Sequence, residues 1–245
     1  MRFTRRVTIS ASAQAVEEVE LKSREWPQAG PFGTFDRASL QRGFQVYKEV
    51  CSACHSMQYL AYRNLEGIGL SDEEVEAVAA EATVTDGPNE SGDMYERPGK
   101  PTDNFPRPFP NDEAAKAANN GALPPDLSLI IKAREGHEDY VYSLLTGFEE
   151  PPPDVKMREG LYYNPYFRGQ QIAMPPPLSA GAVEFADGSE ATVEQMAYDV
   201  TNFLAWAAEP AQEERKRMGV KVALVLLLFS GLAYAVKRKI WTDVH

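Results

Sequence analysis

Apolar positions recur at helical rather than strand spacing through most of the chain's 245 residues. From Asp36, a side chain suited to cap a helix, the pattern predicts a helix over 36–50, with Leu40, Phe44 and Tyr47 at i, i+4 and i+7 on one face. A short helix is expected over 60–65. Ser71 and Glu74 stand three apart ahead of a run bearing Val75, Val78 and Ala79, the capping-box arrangement that opens another helix. Further helices are expected over 112–119, stopped by Asn120-Gly121, then after Ser128 to about Arg134, and over 139–145, ended by Gly147. The last amphipathic helix is expected over 192–208, with Val200, Phe203, Leu204 and Trp206 as its buried positions and Glu209-Pro210 as its end. Prolines break 98–110, and Pro, Tyr and Gly leave 148–181 with little regular structure. Strand periodicity is weak everywhere; a small hairpin arm is expected over 181–185.

One run departs from amphipathicity altogether. Residues 222–236 carry no charge, and fifteen residues make about 22 Å of helix. With 218–221 on one side and Ile240 and Trp241 on the other, the span reaches about 36 Å, enough for a hydrocarbon core of ~30 Å. Lys221 and Lys237 can extend their ammonium groups to the interface, where Trp241 also belongs. Bracketing by Arg215-Lys216-Arg217 and Lys237-Arg238-Lys239 argues against a buried core helix. The expected organisation is an N-terminal extension (1–35), a folded domain (36–212), a membrane anchor (213–241) and a tail (242–245). At the start, Met1-Arg2-Phe3-Thr4-Arg5-Arg6 and Ala11-Ser12-Ala13 resemble the two ends of an export signal, but no apolar stretch joins them, so no working signal is expected.

Composition narrows the function. Hydrophobic residues make up 43% and charged residues 25%, an ordinary globular balance that excludes disorder throughout. The formal charge of −11 argues against a nucleic-acid partner, which needs a basic face, and favours a basic one. The charge is concentrated: residues 64–96 hold ten acids and neither Lys nor Arg. Cys51 and Cys54 are the only cysteines, so no disulfide scaffold is available.

Both belong to Cys51-Ser52-Ala53-Cys54-His55, the attachment pattern of c-type haem. Two thiols one turn apart add to the haem vinyl groups, and the following imidazole becomes the proximal iron ligand. A zinc site would need two further ligands, with only His137 and His245 left; a redox CxxC would need a βαβ setting, which is absent. An electron-carrying haem needs a sixth ligand. Met157, Met174 and His137 remain as candidates, with Met174 favoured because three following prolines stiffen its loop.

Longer strings carry a resemblance. Gly43 stands eight residues before Cys51, and the last amphipathic helix carries Phe203, Leu204 and Trp206, as in the class I cytochrome c fold, where first and last helices cross at a small residue. Asn119-Asn120-Gly121-Ala122-Leu123-Pro124-Pro125-Asp126-Leu127-Ser128, Tyr162-Tyr163-Asn164-Pro165-Tyr166-Phe167 and Ile172-Ala173-Met174-Pro175-Pro176-Pro177-Leu178 are similar to strings of the cytochrome c1 family, over about 35–241. The resemblance implies a mainly α, class I cytochrome c-like haem domain with large insertions and one C-terminal transmembrane helix. It implies one haem c on Cys51 and Cys54, with His55 and Met174 as axial iron ligands. Asn119, Pro125, Arg134, Tyr140, Leu144 and Phe167 match positions lining the haem, Arg134 facing a propionate. The implied role is the haem subunit of a respiratory quinol–cytochrome c oxidoreductase (cytochrome bc1 complex), beside cytochrome b. It would take one electron from the Rieske iron–sulfur protein and give it to a c-type cytochrome. Acidic residues 66–96 match no family string, and charge alone suggests that they attract a basic acceptor. Both ends of the anchor are basic, so haem chemistry sets the topology: the haem domain lies on the outer face of an energy-conserving membrane, a bacterial inner membrane by preference. Two rival functions are a stand-alone membrane-anchored cytochrome c and a haem-based sensor with an open sixth site.

Overall fold

The computed structural model describes residues 19–242. The two signal-like strings at the N-terminus and His245 fall outside it. Among the described residues are seven α-helices, in order α1 (Arg37–Glu49), α2 (Asp72–Ala80), α3 (Asp112–Ala118), α4 (Ile130–Ala133), α5 (His137–Leu145), α6 (Val193–Ala208) and α7 (Gln212–Trp241). Two antiparallel ribbons interrupt them, β1 (Thr83–Asp86) with β2 (Tyr95–Pro98), and β3 (Tyr162–Tyr163) with β4 (Gln171–Ile172). Tight 3-10 turns cover Cys51–Ala53 and Tyr62–Ile68.

The helix ends follow local chemistry. The Asp36 carboxylate accepts from the backbone of Ala38 at 3.0 Å, and the Thr192 hydroxyl accepts from Gln195 at 3.1 Å. At α2 the capping box is complete: Ser71 N–H donates to Glu74 at 2.8 Å, and Glu74 N–H to the Ser71 hydroxyl at 3.3 Å.

Packing is organised around the crossing of α1 and α6. A Cβ built on Gly43 would lie 2.0 Å from the Asp199 carbonyl oxygen, so only glycine lets the two backbones meet there. Phe44 and Tyr47 then reach Phe203, with ring centroids 5.6 and 5.9 Å away, and Trp206 stacks on Phe203. Beside the crossing sits a charge that helical periodicity does not reveal. Asp199 has no exposed surface, yet it accepts from Ser39 Oγ at 2.7 Å, Arg42 Nε at 2.8 Å and Gln195 Nε2 at 2.8 Å. The Asp199 hydrogen bond, with Asp187 beyond it, raises the Arg42 guanidinium above its ordinary range. A buried carboxylate is tolerable only when paired and hydrogen-bonded in this way.

Several segments differ from their expected form. Residues 19–35 form no separate extension. Trp26 donates to Asp139 at 2.7 Å and stacks on Tyr198 at 5.2 Å, Arg24 lies over Tyr142, and the Lys22 N–H donates to Ser143 at 2.8 Å. Residues 60–65 give the 3-10 turn Tyr62–Ile68, and the helix leading to Arg134 is the single turn α4, with Arg134 itself extended. The expected arm at 181–185 is not a strand pair. It is a loop closed by Gly181 N–H donating to Ala191 at 2.9 Å, with Val183 and Phe185 buried, so two inward apolar side chains imitated strand alternation. The ribbons lie elsewhere, the larger inside the acidic stretch, where α2 buries Val75 and Ala79.

The α7 helix is 30 residues long and apolar enough to cross a membrane, with none of its residues buried.

A β-carbon at the crossing has nowhere to go. Gly43→Ala should destabilise the full chain by about 2–3 kcal/mol through overpacking, read by denaturant unfolding. Unchanged stability would mean that α1 and α6 can part without cost.

Candidate functional site

Where α1 ends, its chain turns tightly. The N–H groups of Cys54 and His55 both donate to the Cys51 carbonyl, at 3.2 and 2.9 Å, and the Ser52 hydroxyl donates to Lys48 at 2.7 Å. Cys51 is half-buried and Cys54 exposed; both are free thiols. Burial, with Cys54 beside it, pushes the Cys51 thiol up to about 12, so it is neutral at physiological pH.

The His55 ring is held from outside its own loop. Its Nδ1 lies 2.8 Å from the Pro125 carbonyl oxygen, which can only accept, so Nδ1 carries the proton and Nε2 keeps a free lone pair. Burial lowers the pKa of His55, although the Pro125 bond works against it, which favours the neutral imidazole that binds metals.

The segments around that bond are locked together. One Asp126 carboxylate oxygen accepts from Ser56 Oγ at 2.8 Å and Gln58 N–H at 2.9 Å; the other accepts from Ser128 N–H at 2.9 Å. Leu127 N–H donates to the Ser56 carbonyl at 2.8 Å, and Tyr59 N–H to Ser128 Oγ at 3.1 Å. Burial pushes the Asp126 carboxyl upward, but the bonds from Ser128, Gln58 and Ser56 prevail and hold it below the usual carboxylate range.

The other expected site residues fall into groups. Asn119 ends α3, its amide donating to the Ala115 carbonyl at 2.7 Å. Arg134 is exposed and stands beside the Tyr140 hydroxyl. Tyr140 and Leu144, four apart, share a face of α5 and are half-buried. The turn carrying Phe167 is fastened to that helix, because the buried Asn164 amide donates to the Leu144 carbonyl at 2.8 Å. Met174 is half-buried in the bend after β4, ahead of Pro175, Pro176 and Pro177. Met157 is not far from it in the fold: the Gln171 side chain bonds the Arg158 N–H at 3.0 Å and the Lys156 carbonyl at 3.2 Å. His137 stands at φ +48°, with its Nδ1 committed to the Ile131 carbonyl at 3.0 Å.

Sequence reasoning passed over Asp126, Ser56, Gln58, Ser128 and Asn164, which position the site without chemistry of their own. Their signal was present, since Asp126, Ser128 and Asn164 stand inside the strings that carry the family resemblance. The donor set fits a haem joined through both sulfurs: two free thiols on one turn, a neutral imidazole with Nε2 available, and a half-buried thioether in a proline-stiffened loop.

Residues 26–244 match the family described as the Cytochrome C1 family. Over 235 residues the chain is 52% identical to "Cytochrome c1-2, heme protein, mitochondrial" of Solanum tuberosum, covering 96% of this chain and 90% of that protein. It is 46% identical over 255 residues to "Cytochrome c1" of Rhodospirillum rubrum, covering 97% and 94%. It is also 52% identical over 243 residues to "Cytochrome b/c1" of Bradyrhizobium diazoefficiens, covering 90% of this chain and 35% of that protein.

Removing the carboxylate from the lock by Asp126→Ala should cost about 1.5–3 kcal/mol, the range for hydrogen bonds to a charged group. The folded pKa of Asp126 lies below its unfolded value of about 3.9, so its contribution is complete above about pH 4 and is lost as pH falls through the folded value. Unfolding curves of the chain and of Asp126→Asn across that range should converge at the acid end. Parallel curves would show that the carboxylate charge does not hold the loops.

Proposed function

The chain belongs to the cytochrome c1 family, and on that premise we propose that it relays single electrons within a membrane quinol–cytochrome c oxidoreductase, from a Rieske iron–sulfur protein to a c-type cytochrome. The family is a haem subunit of the cytochrome bc1 complex and carries a covalently attached haem c. That group supplies a one-electron ferrous–ferric couple; the chain makes and breaks no substrate bond.

The observation that carries the reading is the His55–Pro125 bond beside two free cysteines. Cys51 and Cys54 would hold the haem through thioethers, and His55 Nε2 would bind its iron. Met174 would supply the second iron ligand, favoured over Met157 by its prolines and over His137 by that ring's bond to Ile131. Asn119, Pro125, Tyr140, Leu144 and Phe167 would line the group, and Arg134 would pair with a propionate. A thioether ligand would favour the ferrous form and raise the potential, which suits an acceptor downstream of an iron–sulfur cluster. A sensor would leave the sixth position open, and a half-buried methionine in a stiffened loop speaks against that.

The anchor α7 crosses the membrane once, with the haem domain on the outer side, periplasmic or intermembrane-space, because haem c is attached there. Cytochrome b is the proposed neighbour, supported by the match to a protein whose name joins b and c1. In the acidic stretch, Glu81 and Asp86 are neutralised by Lys48 and Arg97, while Asp72, Glu73, Glu74, Glu76, Glu90 and Asp93 stay exposed. That face suits a basic acceptor and would speed encounter at low salt.

Purification of the tagged chain from solubilised membranes tests the assignment. Cytochrome b and a Rieske protein should accompany it, and quinol should reduce its haem. A chain that arrives alone, with haem that quinol does not reduce, would favour the stand-alone reading.

Met174→Leu should leave the haem attached but lower its potential. Axial identity spans about 0.8 V among haem proteins, so a fall of roughly a few hundred millivolts is expected. Redox titration reads it; a potential within about 50 mV of the parent, under 1.4 kcal/mol for one electron, would move the assignment to Met157 or His137.

A further inference from the structure

We propose that the loop at 30–33 rests in the lipid headgroup layer and sets Phe32 into the bilayer surface as a second, aromatic foothold beside α7. The proposal rests on α7 crossing a membrane.

Phe32 is 79% exposed, more than any other large apolar side chain among the described residues. One exposed phenylalanine is ordinary; its position is not. Lys216, in the second turn of α7, donates its ammonium to the carbonyls of Gln28 at 2.5 Å and Gly33 at 3.1 Å, straddling the loop. Glu213, one turn earlier, accepts from Phe35 N–H at 2.8 Å and pairs with Arg37 at 2.9 Å. The loop is therefore clasped to the start of the membrane helix from both of its ends. It is also closed on itself. A Cβ at Gly33 would lie 2.0 Å from the Ala29 carbonyl oxygen, and Gly30 takes a φ of +69°.

The depth of the clasp follows from the span. The charge-free run at 222–236 supplies fifteen of the roughly 20 residues that a hydrocarbon core requires. Met218, Gly219 and Val220 are the neutral residues available to extend it on this side. Lys216 then stands about 3 Å along the axis above Met218, at the edge of the hydrocarbon. The loop it holds shares that level, beside Arg215 and Arg217, which attract anionic headgroups. An aromatic side chain projecting from a rigid turn at that depth meets the interfacial layer.

If the haem takes both native thiols, Phe32→Cys offers the only reactive one, and position 32 is exposed enough to tolerate it. A nitroxide there, in the haem-loaded full chain in phosphatidylcholine–phosphatidylglycerol nanodiscs, reports collisions with dissolved oxygen and with a water-soluble nickel chelate. Oxygen should dominate at position 32 and at Leu227→Cys in mid-span, and nickel at Ser91→Cys in the turn between β1 and β2. Lys216→Ala should shift position 32 towards nickel; an unchanged signal there would overturn the clasp. Nickel dominance at position 32 with oxygen dominance at position 227 would overturn the foothold and leave the anchor standing. Nickel dominance at both would overturn the anchor itself. In the purified complex, loss of both accessibilities at position 32 would assign the loop to a neighbouring subunit and overturn the lipid assignment.

Discussion

The hydrogen bond between the His55 ring and the Pro125 carbonyl is the constraint on which the site depends. A free imidazole can present either nitrogen and turn about two side-chain bonds. Here one nitrogen is spent on a fixed carbonyl 2.8 Å away, leaving the other as a base of defined direction. The carbonyl is itself fixed, because Asp126 gathers Ser56, Gln58 and Ser128 around one carboxylate. Two irregular loops thus gain a rigidity usually supplied by regular structure. Pro125 stands outside any helical or strand ladder, so its carbonyl is available for the ring.

The direction in which that loop leaves α1 is decided further back. At Gly43 the α1 and α6 backbones touch, and the Asp199 cluster permits only one rotation of α1 that keeps Ser39 and Arg42 on the same buried carboxylate. Sliding or turning the helix would strand a charge in the core, which costs far more than a displaced methyl group. The aromatic stack of Phe44, Tyr47, Phe203 and Trp206 fills the remaining space. Cys51 emerges from this crossing just over two turns beyond Gly43, so its placement is inherited from the helix contact.

The same chain separates its charges by place. Acids gather on α2 and the β1–β2 ribbon, and bases gather at the two ends of α7. Residues 22–37 tie the folded domain to the anchor: Trp26 and Lys22 hold α5, while Phe35 and Arg37 hold Glu213. The folded domain and the first turns of the anchor are consequently one mechanical unit.

Local chemistry alone determined much of this. Helical periodicity and capping side chains gave α1, α2 and α6 to within a residue or two, the absence of charge marked the centre of α7, and five consecutive residues pointed to a haem, the group that the family carries. These features act over at most a few turns, so their signal lies in spacing along the chain. What the tertiary structure decided involves partners far apart in sequence: His55 with Pro125 across 70 positions, Ser39 with Asp199 across 160, Lys216 with Gln28 across 188. A proline carbonyl, a mid-helix aspartate and a surface lysine carry no mark of such duties in the sequence. The loop at 181–185 failed as a strand for the same reason: Val183 and Phe185 alternate because both face the core, and alternation alone does not distinguish a paired strand from a loop pressed against a hydrophobic surface.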